Sequence, residues 1–296
     1  MNKFETQFSY GHREILLKYS KLNETALLTG VLQHGVGPTF TLYSDWPTPR
    51  VNFFWRSPLW VYSRVAANEL KSKGVKNVRA IGSPWVYSKI LDSYEISDDN
   101  NKIKYLAFAG HHPSSAQHNT IESTYSRIKH WKSIAGSADL EICLYWSEFL
   151  DPVWQRVALQ EGVTLKCAGK PNNQLNWSQS DARIHYYKNL REIIQPVTHC
   201  IFEKFTSAIF YASDLGKSVG VFPRNSKEKL EPDHPTSKEE YFWLSKNVPR
   251  IFDNCETSSV LTGLTRQLLG YEDILSPVHL SEVLSIQIGI VPISPN

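Results

Sequence analysis

From Lys102 to Pro223 the chain alternates between short apolar runs and longer stretches of helical periodicity. KIKYLAFA, DLEICLYW, VTLKCAG, THCIFE and SVGVFP read as strands. TIESTYSRIKHWKSIAG, DPVWQRVALQEG, DARIHYYKNLREIIQP and FTSAIFYASDLGK, lying between them, read as helices. Each strand is a continuous apolar run, so neither face can meet water. A parallel sheet covered on both sides by its crossover helices is the arrangement that satisfies this pattern.

The first hundred residues have a similar rhythm. HREILLKYSKL reads as a helix, TALLTGVLQHG as a strand entering a glycine loop, and VNFFW as a strand. SPLWVYSRVAANELKSKG reads as one helix, opened by Ser57-Pro58 and stopped at Gly74. NVRAIGSPWVYSKIL supplies a strand, a Gly-Ser-Pro turn and a helix. The polar, acidic DSYEISDDNNK then separates two sets of elements, which places domains at 1–98 and 99–296. A polar loop, Arg224 to Lys238, precedes two amphipathic helices, SSVLTGLTRQLLG and SPVHLSEVLSI, near the end of the chain. The expected architecture is two α/β domains facing across a cleft, with ligands at the carboxyl ends of the strands.

Hydrophobic residues make up 41% of the chain and charged residues 21%, a balance that excludes disorder. The net charge of +3 is too small to argue for nucleic acid. No run approaches the ~18 apolar residues of a membrane-spanning helix, and the first residues lack a signal-peptide core, so cytoplasmic residence is expected. Cys143, Cys167, Cys200 and Cys255 stand far apart without ligand spacing and read as reduced thiols rather than a zinc site.

Three loops carry residues suited to chemistry. GHHPSSAQHN follows a strand, but adjacent histidines point different ways and chelate poorly. Gly110, His112, Pro113 and Ser114 instead suit a loop that presents an imidazole, N–H groups and a hydroxyl to a phosphate; packing and helix capping explain each of them singly. In CIFEKFTSAIF a strand delivers Glu203, and Thr206 and Ser207 open a helix, as caps or as part of an anion site. In QHGVGP, His34 lies between Gln33 and Gly35, either as a general base or as a packed residue in a turn. His12 and Glu14 in SYGHREI read either as facing the same cleft or as surface helix residues, the latter being the simpler explanation. Neither a GxxxxGK[ST] loop nor a GxSxG turn is present.

GHHP after a strand, followed further along by FTS at a helix start, resembles the HP and Ser/Thr motifs of bacterial sialyltransferases and polysialyltransferases with the GT-B fold. QHGVGP and AIGSPWVYSK extend the resemblance to capsule and O-antigen transferases that use CMP-activated nonulosonic or Kdo-type sugars. The resemblance implies a GT-B-like pair of Rossmann-like domains and donor contacts from His112, Pro113, Thr206 and Ser207, with Gly110, Ser114 and Glu203 beside them. Gln33, Gly35 and Ser83 would face the acceptor, a glycan or lipid-linked glycan. The family's acidic base motif has no counterpart in the first domain, so His34 takes the role of base. The implied reaction is an inverting direct displacement with no metal and no cofactor beyond the CMP-sugar donor. Nucleic acid is not an expected partner, and peripheral docking on the inner face of the membrane is left open. The alternatives are a UDP- or GDP-sugar transferase, a nucleotide-sugar epimerase, or a non-catalytic nucleotide-sugar-binding partner of an assembly complex.

Overall fold

The structure, a computed structural model, describes residues 9–26, 28, 30–33, 35–37, 58–95, 102–109, 120–169, 180–223, 242–255 and 259–285. The expected strand at VNFFW and the loop 224–238 lie outside the described residues, as do His34, Gly110, His112, Pro113 and Ser114.

Two separate parallel sheets organise the chain. The first has the order β1 (Val31–Leu32), β2 (Leu59–Val61), β3 (Val78–Ala80). It is accompanied by helices α1 (His12–Ser20), α2 (Arg64–Ser72) and α3 (Pro84–Leu91). The second sheet contains β4 (Lys104–Phe108), β5 (Asp139–Cys143), β6 (Thr164–Lys166), β7 (His199–Phe202) and β8 (Ser218–Val221). Its spatial order is β6-β5-β4-β7-β8, every pair parallel. Helices α4 (Ile121–Ala135), α5 (Trp146–Phe149), α6 (Pro152–Glu161), α7 (Ser180–Ile194) and α8 (Ala208–Asp214) connect these strands. Two further helices, α9 (Ser259–Leu268) and α10 (Pro277–Ser285), return the chain to the first sheet's side, where α10 packs on α1 and α9 on α2.

The expected helix spanning 57–74 is in fact a strand followed by a helix. Leu59–Val61 pairs with both β1 and β3, and α2 begins only after Ser63, whose Oγ accepts the Ala66 N–H at 3.3 Å. Three apolar residues that can bury both faces gain more from two parallel neighbours than from one helical turn, and tertiary pairing overrides the Ser-Pro start signal.

Alternation within the strands builds the core. In the second sheet Ala107, Ile142 and Ile201 face one side, against Ile128, Trp131 and Trp154 of α4 and α6. Leu106, Phe108, Cys200 and Phe202 face the other. That second side continues without a break into the first unit, through Leu16, Tyr62 and Trp85. The far face of the first sheet packs Val31, Leu59, Val61 and Val78 against Ala66, Ala67 and Leu70 of α2. One core therefore joins both sheets on their shared side, and each sheet has a separate outer layer. Among the described residues no helix is long and apolar enough to cross a membrane.

Candidate functional site

The strand order of the second sheet reverses between β4 and β7. The chain proceeds outward from β4 through β5 to β6, then returns to start β7 on β4's other side. Such a switch point opens a crevice at the carboxyl ends of the two strands, because their outgoing loops run to opposite faces. Phe108 and Phe202 end β4 and β7 and stack in parallel, ring centroids 4.7 Å apart. Glu203 follows directly, its N–H donating to Phe108 O at 3.3 Å.

Glu203 is buried, and Arg127 of α4 donates to its carboxylate at 2.5 Å. The guanidinium also lies over the rings of Trp131 and Trp154, at 5.5 and 4.9 Å from their centroids. A charged side chain taken out of water needs a partner, and this carboxylate has one that two indoles hold in place. Arg127 was legible only as a helix residue, because its partner lies 76 positions further along the chain.

Two residues beyond the crevice floor, Thr206 and Ser207 lead into α8. Ser207 is the residue before the helix, but its side chain makes no capping hydrogen bond. The hydroxyl crosses instead to the first sheet. Val36 N–H donates to Ser207 Oγ at 2.7 Å, and the hydroxyl lies 3.3 Å from Val36 O, to which it donates. Val36 follows β1, so this contact ties the segment after the carboxyl end of β1 to the segment after that of β7. Gly35 makes the approach possible: its φ is +81°, and a Cβ there would sit 2.9 Å from Ser207 Oγ.

Gln33 holds the same loop from the other side. Its Nε2 donates to Gly35 O at 2.9 Å, its Oε1 accepts the Tyr62 N–H at 2.8 Å, and its own carbonyl accepts the Tyr62 hydroxyl at 2.8 Å. Both ends of the amide are thus committed to main chain, so Gln33 shapes the loop that carries His34. Ser83, also expected on the acceptor side, is buried as the cap of α3, its Oγ 3.4 Å from Val86 N. Its N–H donates to Leu269 O.

Behind the junction lies a block of buried aromatic residues. His12 and Glu14, expected on a helix surface, are buried because α1 packs against α3, α7 and α10. His12 Nε2 is 2.8 Å from the Tyr187 hydroxyl, which is 3.2 Å from that of Tyr211 in α8. Tyr211 stacks on Trp85 at 4.4 Å. Burial raises the ionisation of Tyr62, Tyr187 and Tyr211 well above that of free tyrosine, so these hydroxyls are neutral donors and acceptors. At the far end of α8, Asp214 accepts from Trp85 Nε1 at 2.7 Å, Lys89 Nζ at 2.8 Å and the Tyr271 hydroxyl at 2.7 Å. The isolated sequence could not show this, since every partner is at least 57 positions away.

No protein-family model and no curated relative matches the chain. Solved structures do. The chain is similar to UDP-GlcNAc 2-epimerase from Neisseria meningitidis bound to UDP-GlcNAc, at 15% identity over 87% of this chain and 67% of that one, TM-score 0.40. It is similar to the wall teichoic acid polymerase TagF at 11% identity over 88% and 68%, TM-score 0.45. It is similar to the pneumococcal O-GlcNAc transferase GtfA in complex with UDP and GlcNAc at 9% identity over 88% and 51%, TM-score 0.40. The fold rests on the sheet topology given above, and no residue role is carried across from these proteins.

Proposed function

We propose that the protein is a nucleotide-sugar-dependent glycosyltransferase whose donor lies in the β4/β7 crevice and whose acceptor approaches from the β1 loop. The observation that carries the reading is the Val36–Ser207 contact, which ties together the segments after the carboxyl ends of β1 and β7. In a parallel α/β sheet the carboxyl edge is where ligands bind, and two such edges opposed form a site for two substrates. In this reading the nucleotide lies on the β7 side of the contact and the hydroxyl-bearing acceptor on the Gly35 side.

In this reading His34, between Gln33 and Gly35 in the sequence, takes the proton of the acceptor hydroxyl as its oxygen bonds to the anomeric carbon. The bond from that carbon to the nucleotide's phosphate oxygen breaks, and the nucleotide departs with the electron pair. His112, Pro113 and the segment at Thr206 belong to the donor side. The proposal covers nucleotide sugars as a class. A CMP-sugar is the donor suggested by the HP and Ser/Thr motifs, whereas the epimerase is named with UDP-GlcNAc and GtfA with UDP and GlcNAc.

Thermal shift with UDP-, CMP- and GDP-sugars tests the class: one of them should raise the melting temperature. Release of that nucleotide only when a glycan acceptor is present would identify a transferase. Interconversion of the sugar without an acceptor would instead indicate an epimerase. Absence of a shift with all three would overturn the proposal.

A further inference from the structure

The Ser/Thr motif leads one to expect Ser207 as a ligand of the donor phosphate. We infer that Ser207 is instead a positioning residue, whose hydroxyl fixes the Gly35–Val36 turn of the first sheet against α8. Among the described residues the Ser207 side chain makes two hydrogen bonds, both with the main chain of Val36, one to its N–H and one to its carbonyl. A hydroxyl has one proton to donate, and here Val36 O receives it. Gly35 is shaped to the same contact, since any side chain there would press on Ser207 Oγ at 2.9 Å.

The helix behind Ser207 is a fixed post. Residues 208–213 are all buried. Tyr211 is tied through Tyr187 to His12 of α1 and stacks on Trp85 of α3. Asp214 is held by Trp85, Lys89 and Tyr271. By chain order α8 belongs to the second sheet, yet both its ends are bonded to elements of the first. A turn held against such a post keeps one geometry, and the reacting groups of the two halves keep their separation.

The catalytic part of this inference rests on the nucleotide-sugar reading. The test therefore includes a measurement that does not. Ser207→Ala removes the hydroxyl, and Ser207→Cys keeps the volume while replacing it with a weak hydrogen-bonding group. Amide exchange of Val36 in the full chain should accelerate about tenfold in both variants, as expected for the loss of one hydrogen bond of about 1.4 kcal/mol. Affinity for UDP-N-acetylglucosamine and CMP-N-acetylneuraminate, by calorimetry, should match the unsubstituted protein, while turnover falls about 10- to 100-fold. Weakened nucleotide-sugar binding with unchanged Val36 exchange would make Ser207 a donor ligand and overturn the inference. Faster Val36 exchange with undiminished turnover would also overturn it. If the unsubstituted protein binds neither compound nor a GDP-sugar, the functional reading fails, and Val36 exchange alone decides whether Ser207 fixes the turn.

Discussion

Arg127 Nη2 stands 2.5 Å from Glu203 Oε2, with the two side chains 6% and 1% exposed. This pair crosses from α4 to the end of β7 and holds the switch point from below. Removing one partner leaves the other charge in a medium that cannot solvate it. Arg127→Met should cost about 3–5 kcal/mol of stability, whereas Arg127→Met combined with Glu203→Gln should cost much less, because no uncompensated charge remains. Urea unfolding of the two variants checks this. Equal losses would show that the pair does not compensate itself.

Gly270 marks where the returning chain touches the first sheet. A Cβ at this position would lie 1.8 Å from Tyr62 O, and its φ is +68°. Tyr62 is the residue that Gln33 grips. Gly270→Ala should therefore destabilise the fold by more than the ~1 kcal/mol expected for a left-handed residue in open space. It should also speed amide exchange at Tyr62, measurable in the same experiment.

Alkaline pH should unfold the protein through its buried hydroxyls and thiols. Burial pushes Tyr10 up to about 12 from 10.0, and Cys143 up to about 12 from 9.0. Tyr62, Tyr186 and Tyr187 are raised for the same leading reason. In each case the folded state keeps a proton that the unfolded chain releases, so the stabilisation is complete below the unfolded value and declines as pH rises through the folded one. Stability should hold to about pH 9 and then fall, each group adding a slope of up to about 1.4 kcal/mol per pH unit. Denaturant midpoints measured from pH 8 to 11 would show this, and a flat profile would contradict it.

How far the sequence reveals the fold is shown by WVYS, which occurs twice. At 60–63 it finishes β2 and caps α2, and at 85–88 it lies inside α3. Both copies follow a Ser-Pro signal closely, yet only Ser83-Pro84 starts a helix. The first copy has β1 and β3 on either side, and its main chain bonds to Gln33 N and Ile81 N. That long-range pairing is invisible in a local window. The second sheet was legible, because apolar runs such as YLAF and VGV alternate with helices that carry caps such as Thr120 and Asp151.

Charged residues were harder to place. Arg13, Glu14, Arg127 and Arg191 sit on helices, where charge ordinarily means solvent, yet all four are buried. Arg191 donates to Ser88 and Asp92, roughly a hundred positions earlier in the chain. In the candidate site, QHGVGP and FTS each stood out in the sequence, but their contact through Val36 and Ser207 spans 171 positions. Only the fold brings them together.

The placement of the donor is tested most directly by hydrogen exchange of the whole chain with and without a nucleotide sugar that shifts its melting temperature. Binding should slow exchange at the carboxyl ends of β4 and β7, in residues 107–109 and 202–206. The amino ends of the same strands, near Lys104 and His199, should be unchanged. Protection confined to those amino ends, or to the outer helices α4 and α6, would contradict a donor site at the β4/β7 switch point.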